Sequence, residues 1–117
     1  MRLGRAGKYV TMNQSLDTVP DLDFPIVCQA EVDLPAWLRT LTGRTGWQLL
    51  EESPFDAGEA YRLRRGREEA EVVLFHTGHV TVGVEDQVLY EGRLLDAPGC
   101  ASVRYFHGES GEPIALN

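Results

Sequence analysis

Apolar and polar residues change period along this chain, from alternation to a helical stripe and back again. Over 24–32 the run FPIVCQAEV sets Ile26, Cys28, Ala30 and Val32 on one side, the two-residue repeat of a half-buried strand. Leu34, Trp37, Leu38 and Leu41 follow at i, i+3, i+4 and i+7, which is one stripe of a helix. Asp33 suits the N-cap, Pro35 falls in the first turn where a missing N–H matters little, and Gly43 or Gly46 can end the helix left-handed. The spacing predicts a helix over 33–43. It is too short to stand alone in water and must pack on something.

Beyond it the period returns to two. Strands are predicted over 47–52, 59–65, 69–76, 79–85, 87–95 and 102–107. The segment SPFDAG ends the first of these, and tight turns fall at Gly66-Arg67, Thr77-Gly78 and Glu85-Asp86. The sum is an α+β fold, one short amphipathic helix packed on a largely antiparallel β-meander of five to six strands. It fills a single domain, 1–117, with loosely structured ends at 1–22 and 108–117 and a short edge strand at 8–12. A two-residue Thr77-Gly78 turn sets Val73, Phe75, Val80, Val82 and Val84 on the face beneath the helix. Val72, Leu74, Thr81 and Gly83 then form the opposite face. A sheet apolar on both faces needs a second cover, and a homodimer is the expected one.

Charge narrows the function classes. The 117 residues carry 18 acidic and 11 basic side chains, a formal charge of −7, which disfavours a general nucleic-acid binder. No apolar run reaches the roughly 18 residues that span a bilayer. Arg2, Arg5 and Lys8 are not followed by the apolar core of a secretory signal, so a bacterial cytoplasm is the expected location. Cys28 and Cys100 are too few for a disulfide framework; free, buried thiols are expected, with a bridge between them as the alternative.

Two clusters offer chemistry. His76 and His79 bracket the Thr77-Gly78 turn, and a two-residue turn opposes them with Cβ atoms roughly 5 Å apart, within reach of one Zn²⁺. A third ligand would come from His107, Asp86, Cys100 or a glutamate; a three-residue loop would undo the opposition. Arg62, Arg64, Arg65 and Arg67 form the one dense basic cluster, able to take a phosphate, a carboxylate or an acidic partner surface, although Glu59, Glu68, Glu69 and Glu71 bracket it. The paired carboxylates read as surface charge, and neither a nucleophile elbow nor a phosphate loop occurs.

The leading expectation is a non-catalytic protein-interaction or ligand-binding module, of adaptor, chaperone or inhibitor type, without a cofactor. It would dock a protein partner through an apolar sheet face or strand edge. One alternative is a metal-dependent hydrolase, with zinc as the candidate ion, built on His76, His79 and a third ligand with a glutamate base. A second is a single-stranded nucleic-acid binder using Arg62, Arg64 and Tyr61.

Overall fold

A computed structural model of the chain describes residues 9–16, 26–98, 103–107 and 110–113. Two strands open the fold, β1 (Tyr9–Leu16) and β2 (Ile26–Asp33), and the single helix α1 (Leu34–Thr42) follows directly. Five strands come next: β3 (Gln48–Phe55), β4 (Gly58–Arg65), β5 (Glu68–Phe75), β6 (His79–Val84) and β7 (Gln87–Arg93). A 3-10 turn at Leu94–Asp96 leads on towards β8 (Val103–His107).

The helix ends are those the sequence announces. The Asp33 carboxylate accepts the Ala36 N–H at 3.1 Å, Pro35 sits in the first turn, and Gly43 closes the helix at φ +74° with its N–H on the Arg39 carbonyl at 2.7 Å. Leu34, Trp37 and Leu38 are buried, and the Trp37 indole N–H donates to the Pro98 carbonyl at 2.6 Å, tying the helix to the segment after β7.

The meander β3-β4-β5-β6-β7 is one antiparallel sheet in chain order, and β1-β2-β8 is a second sheet of three strands. The second sheet joins the consecutive strands β1 and β2 to the distant β8, a pairing that no local pattern announces. The short edge strand expected at 8–12 is longer than the sequence suggested: residues 9–16 pair with β2 along their whole length, Tyr9 opposite Asp33 and Leu16 opposite Ile26. Residues 17–22, 108–109 and Cys100 lie outside the described residues. A single apolar core joins both sheets and the helix: Val10, Ala30 and Val32 from the smaller sheet, Leu34 and Trp37 from α1, and Leu63, Val72, Leu74, Val80 and Val82 from the larger. Cys28 is a free thiol within it, and burial pushes its pKa up to about 11.

The β5–β6 hairpin corrects the expected register. Leu74 pairs with Val80 and Val72 with Val82, so the loop holds three residues, 76 to 78. The Gly78 N–H donates to the Phe75 carbonyl at 2.9 Å and Gly78 takes φ +94°. A two-residue hairpin turn of the favoured type needs positive φ at both central positions, and β-branched Thr77 resists that. The chain instead makes an ordinary turn through His76 and Thr77 and leaves the left-handed position to glycine. Ala70, Val72 and Leu74 therefore join Val80, Val82 and Val84 on the buried face, while Val73 and Phe75 move to the outer face with Thr81 and Gly83.

Candidate functional site

The outer face of the five-stranded sheet gathers most of the exposed apolar and charged side chains of the meander. Its cross-strand register builds it in rows. At one end Phe55, Gly58 and Phe75 align across β3, β4 and β5. The rings of Phe55 and Phe75 meet edge to face at 6.1 Å across the glycine, which has no side chain to separate them. The next row is Ser53, Ala60, Val73, Thr81 and Glu91. The third is Glu51, Arg62, Glu71, Gly83 and Val88. Beyond it Arg64 faces Glu69 and the Glu85-Asp86 turn closes the sheet. Val88 is 69% exposed and Phe55 43%, so large apolar surface stands in solvent here.

Glycine at 83 leaves a hollow of about 390 Å³ in this face, bounded by Arg62, Glu69, Glu71, Glu85 and Asp86. Glu85 holds the corner at φ +56°, a left-handed backbone that carries roughly 1 kcal/mol of strain in a residue other than glycine. Glu69 secures it from both sides: its carbonyl accepts the Glu85 N–H at 2.9 Å, and its own N–H donates to the Glu85 carboxylate at 2.8 Å.

The arginine cluster lies beside this hollow and is largely neutralised. Arg62 pairs with Glu51 at 3.1 Å, Arg64 with Glu69 at 2.9 Å, and Arg65 with Glu68 at 3.1 Å. Arg65 also donates to the Thr45 carbonyl at 2.7 Å, and Arg44 comes in from the loop after α1 to share Glu68. Charge-assisted hydrogen bonds from Arg44, and then from Arg65, hold the Glu68 carboxyl below its ordinary range; Arg64 does the same for Glu69. Of the four arginines singled out in the sequence, only Arg67, exposed in the β4–β5 turn, has no carboxylate partner among the described residues.

Neutralising the arginines exposes an opposite excess. Glu71, Glu85, Asp86 and Glu91 have no ion pair among the described residues, and all four are exposed. Sequence reading missed them as a group because only the observed register brings Glu71 beside Gly83 and the Glu85-Asp86 turn. The position of Thr77 was the available signal, since it forces the longer loop.

The register does not set the two histidines opposite each other. His76 sits in the loop and His79 begins β6 opposite Arg93, so they are not cross-strand partners. The His79 ring nitrogen Nδ1 lies 3.4 Å from the Thr77 hydroxyl. His76 acts through its backbone: its N–H donates to the Ala57 carbonyl at 2.9 Å and its carbonyl accepts from the Ser15 N–H, linking β1 to the larger sheet. Among the described residues no three His, Cys, Asp or Glu side chains gather as a metal would require. Tyr61, the proposed stacking ring for nucleic acid, is buried in the core and its hydroxyl donates to Glu59; burial foremost, then that carboxylate, raises its pKa far above the ordinary phenol range.

No protein-family model, curated protein or solved structure matches the chain. No helix among the described residues is long and apolar enough to cross a membrane.

Proposed function

We propose that this chain is a non-catalytic protein-interaction module that docks its partner on the outer face of the five-stranded sheet. The observation that carries the reading is the exposed apolar surface of Phe55 and Val88 on a sheet whose other face is already packed. Five strands about 4.8 Å apart and roughly eight residues long offer a face of about 600 Å². That approaches the roughly 800 Å² per partner of a standard protein interface.

Docking through side chains fits this sheet better than strand addition at its rims. β3 is interrupted by a bulge between Leu49 and Glu51 and carries Pro54, and β7 meets a bulge opposite Val82 and Gly83. Bulges and proline blunt the hydrogen-bonding edges that would otherwise recruit another strand. The hydrolase reading has no ligand constellation among the described residues, and the nucleic-acid reading loses Tyr61 to the core and Arg62 and Arg64 to glutamates.

Site-directed photo-cross-linking in expressing cells tests the proposal. A benzophenone side chain at position 55 or 88 should form one defined protein adduct, and the same group at position 40, on the exposed side of α1, should not. Equal adducts at all three positions, or none at 55 and 88, would overturn it.

A further inference from the structure

We infer that the partner presents a basic, partly apolar segment, with one arginine or lysine seated over Gly83. This rests on the docking reading above and names the chemistry of what docks. The apolar half of the face, Phe55, Phe75, Val73 and Val88, supplies area without selecting a charge. The charge on the face does select. Arg62, Arg64 and Arg93 are answered within the chain, Arg93 by Asp96 at 3.2 Å, while Glu71, Glu85, Asp86 and Glu91 have no ion pair among the described residues, although Arg62 stands opposite Glu71 and the Glu85 carboxylate accepts the Glu69 N–H. Arg67, at the neighbouring turn, offsets one of the four at most.

The missing side chain at Gly83 lets a cation approach between Glu71 and the Glu85-Asp86 turn, on the side of the hollow away from Arg62, with the exposed Val88 opposite Gly83 on β7. Alternation along such a segment would place its apolar residues over Val73 and the Phe55–Phe75 pair, one or two rows away. A second copy of this chain fits less well, because each copy carries −7 and brings the same unpaired carboxylates to the contact. Nucleic acid meets that potential with phosphate and is repelled.

Three fluorescein-labelled peptides of about ten residues, long enough to span the sheet, test this. One alternates arginine and valine, the second replaces arginine by glutamate, and the third replaces valine by serine. Polarisation should show binding of the first, weaker binding of the third and none of the second. Backbone amide shifts on the intact protein should cluster at Val73, Thr81, Gly83 and Val88. Glu71→Gln with Asp86→Asn should weaken the arginine–valine peptide about tenfold, two exposed pairs being lost, with the thermal melt unchanged. About 1 M salt, which shortens the screening length to about 3 Å, should weaken it too. Binding of the glutamate peptide, shifts elsewhere, or a double variant that binds undiminished would overturn the inference. A dimer in sedimentation that protects the Gly83 and Val88 amides would also overturn it, in favour of a second copy, while leaving the docking face intact. Absence of peptide binding together with absence of adducts at positions 55 and 88 would remove both.

Discussion

Replacing Gln14 by methionine should stabilise the protein. Gln14 lies on the inner side of β1 opposite Cys28, it is 1% exposed, and neither its amide nitrogen nor its amide oxygen has a hydrogen-bond partner among the described residues. An unpaired amide in a protein interior costs about 1–3 kcal/mol relative to one that stays in water. Methionine has nearly the same length and volume and no polar atom, so it fills the same space without that penalty. The expected gain is therefore about 1–3 kcal/mol. With an unfolding entropy of about 2.1 cal/mol/K per residue, a chain of 117 residues shifts its Tm by roughly 4 °C per kcal/mol. Differential scanning calorimetry should show a rise of roughly 4–12 °C, and urea titration a higher midpoint with an unchanged slope. A lower Tm would mean that the amide is satisfied in the native protein, and this account of the interface between the sheets would fail.

Other positions give sharper or cheaper tests. Gly58→Ala should destabilise by about 3 kcal/mol, because an added Cβ overlaps the Leu74 carbonyl oxygen and lies 2.8 Å from the Phe75 Cα; a loss under about 0.5 kcal/mol would show that β4 can move away. Cys28 should resist alkylation at neutral pH until the protein unfolds, since burial both shields the thiol and suppresses the thiolate; peptide mapping showing modification of native protein refutes this. Glu68 and Glu69 have lowered folded-state pKa values, so the stability they add is present above the ordinary carboxylate range and lost as pH falls through their folded values. Carboxyl NMR titration should place both midpoints below that of an ordinary glutamate. Arg64→Ala should raise the Glu69 midpoint and leave Glu68, held by Arg44 and Arg65, where it is.

What could be read from sequence divides along the range of the interactions. The helix was legible to the residue because Asp33, Pro35, the leucine stripe and Gly43 act within ten positions of one another. That the later strands form an antiparallel meander was legible for the same reason, each pairing with the next, although the strand order of the whole fold was not. Only the first half of β1 was legible, as an edge strand over 8–12: YVTMNQSL places Gln14 where an apolar residue would complete the alternation, and its partner β2 lies beyond a polar loop. The three-stranded sheet depends on pairing between distant segments, which leaves no local period.

The site shows the same boundary. The basic cluster could be named from sequence, and its neighbouring glutamates were noted, but which carboxylate answers which guanidinium is a property of register. A loop of three residues at 76–78 instead of two ended the cross-strand opposition of the histidines and carried Val73 and Phe75 from the core to the outer face. It also set Glu71 beside Gly83, so the face emerges acidic and apolar where the sequence had drawn attention to arginine.

Solvent paramagnetic relaxation of the methyl groups, with a neutral gadolinium chelate in an isotope-labelled sample, measures directly which side of the larger sheet is open. Val73 and Val88 should broaden strongly in the isolated protein while Val72, Leu74, Val80 and Val82 stay sharp. Equal protection of the two sets would mean that the face assigned to a partner is already covered, and equal broadening would mean that the inner packing described above does not exist.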